Sequence, residues 1–379
     1  MNILPTSQYL IAETDRLALL AFKNNIKDPL GALTSWNESS HCSNWTGVRC
    51  SRRHPSRVVR LDLRSMSLEG SISPYIGNLS FLKYFNLNDN HFTGGIPQEI
   101  GHLSRLQVLW LTNNTLTGKI PRNLSSCKSL EILALTQNDL VGGIPVELGS
   151  LSMLQTLYLG VNYFSGTIPI SLSNLSFLTD IVLEYNNLQG NIPSELGQLS
   201  ILSDFSITAN NFSGTIPPQI FNISSIAFFY VTSNKLHGSI PPYIGTTFPR
   251  LEEFGIGGNR FSGVLPYTIS NLSKLSMFDV GGNQFTGPVP KLGTLQGLII
   301  ANFEENYLGG GEVDDLSLFN SLSNCSHLEI FSIPQNNLTG QLPASVGNLS
   351  TKLTQLYMGE NNIYGEITPG IENLVSLNS

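Results

Sequence analysis

Leu133-Ala-Leu135-Thr-Gln-Asn138-Asp-Leu140-Val-Gly142-Gly-Ile144-Pro145 is one turn of a frame that recurs along the whole chain. An Asn returns at 90, 114, 138, 162, 186, 210, 234, 259, 283, 306, 336 and 361, mostly in steps of 24 residues, with one step of 30 after Asn306. Met66 holds the equivalent place in the first repeat, making thirteen rungs, and four residues after each of these positions stands a Gly, from Gly70 to Gly365. Ten repeats add a Pro seven residues on, as at Pro97, Pro193 and Pro266. So tight a period makes the chain a repeat array, and repeats must be sought before domains are counted.

Each element of the frame has a physical role. The alternating Leu154, Leu157 and Leu159 predict a short strand with one apolar face. One repeat cannot bury that face alone, whereas stacked neighbours enclose it in a continuous core behind a parallel sheet. The ladder Asn carries donors and an acceptor for backbone groups left inside the coil by the sharp turn. Gly tolerates the turn that follows, and Ile-Pro starts an extended stretch. Thirteen strands at about 4.8 Å each predict a sheet about 60 Å long. The expected fold is a leucine-rich-repeat solenoid of the α/β type, a curved right-handed superhelix with a parallel concave β-sheet and a helical N-terminal cap.

Residues 1–12 are expected to be poorly ordered or processed, 13–56 to form the cap, and 57–379 to hold the repeats. The first segment, MNILPTSQYLIA, has neither the basic start nor the apolar run of a signal peptide. In the cap, Thr14 and Asp15 start a helix with Leu17, Leu20 and Ala21 on one face, stopped by Asp28-Pro29. At the far end Leu377 falls where another strand would begin, so the array reads as truncated in mid-repeat.

Composition narrows the function classes. Charged residues make up only 12% and net charge is −7, which disfavours nucleic acid as a partner. No run of about 18 apolar residues spans a membrane. No phosphate loop, kinase catalytic loop or nucleophile elbow is present, the six His lack metal-ligand spacing, and Gly257-Gly258-Asn259 falls in the ladder register as turn chemistry. The reading is therefore no catalytic residue, no metal and no cofactor. Cys42 and Cys50 lie close together in the cap and are expected to form a disulfide, with free thiols as the alternative. Cys127 and Cys325 each precede a ladder Asn by eleven residues, where other repeats hold Leu, so they read as core residues. Twelve N-x-Ser/Thr sequons offer glycosylation at Asn37, Asn44, Asn78, Asn113, Asn123, Asn174, Asn211, Asn222, Asn271, Asn324, Asn337 and Asn348. None is a ladder Asn.

The 24-residue frame with L-x-G-x-I-P resembles the plant-specific class of leucine-rich repeats. Asp15-Arg-Leu-Ala-Leu-Leu-Ala-Phe-Lys23, Ser35-Trp36 and Cys42-Ser-Asn-Trp45-Thr-Gly47-Val-Arg-Cys50 resemble the N-terminal domain of plant leucine-rich-repeat receptor-like kinases. Ile72-Ser-Pro74, Ile76-Gly-Asn-Leu-Ser-Phe-Leu82 and the long repeat from Asp314-Asp315 to Leu328 are similar to the subfamily of the flagellin and bacterial elongation-factor receptors and the rice blight-resistance kinase. The resemblance implies an extracellular, ligand-binding ectodomain at the plasma membrane, reached through the secretory pathway. It further implies a role in innate immunity or development, a co-receptor kinase with a short repeat ectodomain, and a membrane span and cytosolic Ser/Thr kinase outside this chain. The alternative is a secreted leucine-rich-repeat inhibitor of cell-wall-degrading enzymes, which would be shorter and doubly capped.

Within each strand, the positions six, four and two before the ladder Asn point to the concave side, and the residue just before the Asn borders them. This register exposes Tyr158, Asp180, Val182, Glu184, Tyr185, Asp204, Phe228 and Tyr230, extended by Trp110 and Ile132 on one side and Glu253 on the other. Aromatics facing water mark interfaces, and carboxylates beside them favour a basic peptide or protein. The alternative is that the aromatics merely pack on one another and the acids are solvated.

Overall fold

The computed structural model describes residues 13–37, 44–54, 56–310 and 315–378. It comprises two compact units, Met1–Leu188 and Gln189–Ser379.

In the first unit, Val48–Cys50 runs antiparallel to Val58–Asp62. Parallel strands follow at Tyr84–Asn86, Val108–Trp110, Ile132–Ala134, Thr156–Tyr158 and Asp180–Val182. Successive strands pair in register, so Phe85, Leu109, Leu133, Leu157 and Ile181 form one buried column. The second unit repeats the pattern from Asp204–Ser206 to Gln355–Tyr357. There the same column is Phe205, Phe229, Phe254 and Phe278, with ring centres 5.6, 5.7 and 5.9 Å apart. Where Ala301 interrupts it, Phe303 from two residues on takes up the space, 5.6 Å from Phe278.

The ladder Asn ties each rung to the one before. Asn162 Nδ2 donates to the carbonyls of Leu135, Leu159 and Gly160 at 3.0, 3.2 and 3.0 Å, while its Oδ1 accepts from the Leu140 N–H at 3.0 Å. Asn90, Asn114, Asn138, Asn259, Asn283, Asn306 and Asn336 are likewise buried and repeat this set. Asn234 and Asn361 make the same bonds while half-buried.

Two features were absent from the sequence reading. The residue before the ladder position is left-handed in every rung, whether Ser65, Val161, Tyr185 and Glu305 at φ 50–55° or Gly258 and Gly282. Past the Asn, a second parallel sheet forms, as in His91–Gly95, Thr115–Gly118, Asp139–Gly142 and Tyr163–Gly166 of the first unit. The return segments are mostly five-residue 3₁₀ helices such as Gln98–His102 and Val146–Ser150, not the α-helices that the α/β description suggests. Two returns instead hold a single α turn, at Ile244–Thr247 and Leu318–Leu322.

The cap helix is Glu13–Asn24, and its buried stripe is Asp15, Ala18, Leu19 and Phe22. This corrects the expected face: Leu17 is 53% exposed. The helix also ends before Asp28-Pro29, because Ile26–Lys27 pairs antiparallel with Glu69–Ser71. Buried Asp15 accepts from Arg57 Nε and the Val58 N–H, pinning the cap to the first rung. Cys50 is disulfide-bonded; Cys42, like residues 1–12 and Asp314, lies outside the described residues. Cys127 and Cys325 are buried free thiols donating to the carbonyls of Ile100 and Leu292.

Asn162→Ala leaves the buried Leu140 N–H without its acceptor and takes one of two donors from the carbonyls of Leu135, Leu159 and Gly160, and it is expected to cost about 1–3 kcal/mol in denaturant melts; an unchanged midpoint would refute the role assigned to it. Burial pushes the Cys127 thiol up to about 12 and Cys325 up to about 11. Both are therefore expected to resist a thiol reagent at pH 8 in the folded chain and to react once it is unfolded. Fast labelling of the native protein would contradict their placement.

Candidate ligand-binding face

The side chains opposite the buried columns form the concave face of each unit. In the first unit the position four before the ladder runs Asp62, Asn86, Trp110, Ala134, Tyr158, Val182. The expectation of uniform exposure here is corrected: Asn86 and Ala134 are buried, whereas Trp110, Tyr158 and Val182 are half-exposed. Large residues lean over small neighbours, so outward-pointing positions become a row of aromatic ridges. Trp110 meets Tyr84 edge-on at 5.9 Å, and Arg60 lies 3.6 Å from the Tyr84 ring centre. Asp180 takes hydrogen bonds from Thr156 Oγ1 at 3.3 Å and Thr179 Oγ1 at 2.6 Å, which orient its carboxylate. Glu184 and Ile132 are half-exposed, and Tyr185 is 57% exposed on its left-handed backbone.

In the second unit Asp204, Phe228, Tyr230 and Glu253 are half-exposed, and Ser206 is buried. Tyr230 donates its hydroxyl to the Glu253 carboxylate. Thus every candidate ligand-binding residue named from the sequence is on an accessible surface, with one group in each unit.

Sequence reasoning missed two further features. In the second unit Gly255, Gly257 and Gly281 leave the floor of the sheet bare: a Cβ at Gly257 would stand 2.9 Å from Asp279 Oδ2. Asp279 Oδ1 accepts from Asn302 Nδ2 at 3.0 Å and the Gly281 N–H at 3.1 Å. Burial pushes the Asp279 carboxyl above its usual range, against the opposing pull of those two donors, and the neighbouring Glu304 carboxylate adds to the rise. In the first unit Gln137, Asp139, Val161, Tyr163 and Tyr185 help line a hollow of about 370 Å³ at the ladder turn. The signal for it was the pair of positions flanking each ladder Asn, since both face outward.

All twelve sequon Asn residues lie outside the concave strands. Five of them, Asn78, Asn174, Asn222, Asn271 and Asn348, end 3₁₀ helices. No helix among the described residues is long and apolar enough to cross a membrane.

Residues 12–51 match the leucine rich repeat N-terminal domain, and residues 80–140 and 153–175 match leucine rich repeats. The receptor kinase-like protein Xa21 of Oryza sativa subsp. japonica is 52% identical over 84 residues, 20% of this chain and 8% of that protein. The LRR receptor-like serine/threonine-protein kinase EFR of Arabidopsis thaliana is 51% identical over 82 residues, 21% of this chain and 8% of that protein. These matches span under a tenth of either relative. Among solved structures, PEPR1–AtPEP1 aligns over 97% of this chain and 54% of that chain, with TM-score 0.81 and 27% identity. A TDR receptor aligns over 83% and 58%, with TM-score 0.75 and 30% identity.

Because ionised Asp279 is disfavoured in the fold, its carboxyl titrates higher folded than unfolded. The destabilisation is present above the folded value and is relieved as pH falls through it. Asp279→Asn is therefore expected to melt higher than the parent at pH 7, with the gap closing towards about pH 4. Equal melting points at pH 7 would show that the burial is not felt.

Proposed function

We propose that this chain, a leucine-rich-repeat ectodomain of the plant receptor-like kinase type, binds a peptide or protein signal on its concave strands. Basic groups of the ligand meet Asp180 and Glu184 in the first unit, and Asp204 and Glu253 in the second. The observation that carries the reading is the coincidence of half-exposed aromatics and carboxylates at outward strand positions. The backbone beneath them is already satisfied by the ladder, so Trp110, Tyr158, Phe228 and Tyr230 answer no need of the core. Water-facing aromatics beside charges are the usual composition of interface centres.

The relatives and neighbours support the same reading. The solved PEPR1 structure is a complex with AtPEP1, and another neighbour, the peptide hormone receptor RGFR1, is in complex with RGF2 at 27% identity and TM-score 0.68. The curated relatives are receptor kinases, which does not favour the secreted-inhibitor alternative. The proposal extends to an extracellular position at the plasma membrane, a co-receptor kinase with a short repeat ectodomain, and a role in immunity or development. In that compartment Cys42 pairs with Cys50, and sugars at the sequons leave the concave strands open. Catalysis in the whole protein falls to a Ser/Thr kinase domain outside this chain.

Binding of the purified chain to fractionated microbial or plant peptide extracts tests the reading. Tyr158→Ala is expected to weaken capture about tenfold, the loss of about 1.4 kcal/mol typical of an interface aromatic. Asp204→Lys is expected to weaken it and to flatten its salt dependence. If both variants melt like the parent and bind unchanged, the concave site is wrong.

A further inference from the structure

The first unit carries a second cluster of charge, opposite in sign to the carboxylates. Six of the chain's 20 Lys and Arg residues fall between positions 49 and 64, where Asp62 is the one carboxylate. The three concave positions of the first rung are Arg60, Asp62 and Arg64. Arg49 stands directly opposite Arg60 across the antiparallel pair. Like charges placed so destabilise a sheet, and the Tyr84 ring beneath Arg60 and the single Asp62 carboxylate offset only part of that repulsion. Asp62 Oδ2 accepts from Arg60 Nη2 at 2.7 Å and from Arg64 Nη2 at 3.2 Å. Its Oδ1 is buried and takes no hydrogen bond among the described residues. Three guanidiniums against one carboxylate leave the cluster at +2. Arg49, Arg60, Asp62 and Arg64 line one hollow of about 660 Å³ with Trp45 and Met66.

Charge along the concave rows of this unit is therefore polarised. Arginines stand at the first rung, Asp180 and Glu184 at the sixth, and Tyr84, Trp110, Ile132 and Tyr158 between them. On the row edge between the clusters, Asp89 is held by Asn113 Nδ2 at 2.8 Å and by Ser65 Oγ at 3.4 Å.

We propose that the first-rung hollow is a subsite for an acidic segment of the ligand, and that the ligand is a peptide carrying acidic and basic side chains at a set spacing. Guanidinium forks match carboxylates. Five strand steps of about 4.8 Å separate the two clusters by about 24 Å, which an extended peptide covers in about seven residues. The acidic subsite stands on its own observations; the pairing of both ends rests on the function proposed above.

Synthetic peptides with a Glu triplet and a Lys triplet, separated by zero, four or ten neutral residues, test the proposal by fluorescence anisotropy with the full chain. The four-residue spacer, which sets the triplet centres seven residues apart, is expected to bind tightest. It should exceed either triplet alone by about tenfold or more. The Arg49→Gln/Arg64→Gln double variant should lose the contribution of the Glu triplet and keep that of the Lys triplet. Both side chains are exposed, and Arg49→Gln alone provides a milder test should the double variant melt early. The converse loss is expected from Asp180→Asn/Glu184→Gln. A parent chain that ignores the Glu triplet while binding the Lys triplet through Asp180 and Glu184 overturns the subsite and leaves the proposed function standing. Binding of the Glu triplet through the arginines with no effect of Asp180 or Glu184 upholds the subsite and sinks the basic-ligand reading. Tighter competition by a polyuronate oligomer than by any of the peptides assigns the hollow to an acidic polysaccharide and refutes the peptide.

Discussion

Everything in either unit depends on one hydrogen-bonding group, the buried carboxamide of the ladder Asn. A chain that reverses direction after a three-residue strand leaves carbonyls and N–H groups pointing inward, where no water reaches them. Each unpaired group would cost about 1–3 kcal/mol. The carboxamide has two N–H groups and a carbonyl oxygen at the end of one short side chain, so a single residue serves the turn of its own rung and the backbone of the rung before. Asn138 shows both directions: Nδ2 reaches Leu111 and Leu135, and Oδ1 holds the Leu116 N–H. Asp lacks the donors and Leu has neither kind of group, which is why the position tolerates so little. Met66, in the first repeat, has no earlier rung to bind; its own N–H is instead taken by Asn90 Oδ1.

That demand sets a backbone conformation that the side chains must endure. To bring the Asn inward, the preceding residue turns left-handed, a state costing about 1–2 kcal/mol for residues other than Gly. Val161 and Tyr185 adopt it at φ 53° and 50° although neither favours it. The strain persists because strands on either side hold the turn in place through several bonds each. It also throws Val161 and Tyr185 outward beside Tyr163, creating the hollow at the ladder turn. A feature of recognition therefore follows from a feature of folding.

Strand and ladder positions were legible in the sequence because they are period signals: Leu157 and Asn162 have one chemical role each, and few other residues can fill it. The left-handed residue was not legible, since Ser65, Val161, Tyr185 and Glu305 share no side-chain property; the constraint acts on the backbone alone. The second sheet was hidden for the same reason, its pairing being main chain to main chain. The cap helix misled by composition: Leu17 is the larger apolar residue, but the Asp15, Ala18, Leu19, Phe22 stripe faces the first rung, drawn there by the bond between Asp15 and Arg57. On the concave face, register placed Tyr158 and Asp180 correctly, whereas the covering of Ala134 and Ser206 depends on what stands one rung away. The arginines of the first rung carry no period signal, because Arg60 and Arg64 stand at outward positions that the frame leaves to any residue.

The alternation of strand side chains separates the two tasks of the molecule. Residues such as Leu157 and Phe229 face the core and answer to packing; Tyr158 and Tyr230, their chain neighbours, face outward and answer to a ligand. Because adjacent positions point to opposite faces, either set can change while the other is held. The core column does change, from Leu109, Leu133 and Leu157 in the first unit to Phe229, Phe254 and Phe278 in the second, while the ladder bonds keep the same lengths to within a few tenths of an ångström. The same freedom operates outward: Gly255 and Tyr158 each stand four residues before their ladder Asn, yet one leaves the backbone bare and the other raises a ring. A frame this strict discloses the scaffold in nearly every residue that builds it. It discloses the ligand only through the charges and rings placed where the frame asks for nothing, which is why Arg60, Arg64, Asp180 and Glu184 are the most informative residues of the first unit.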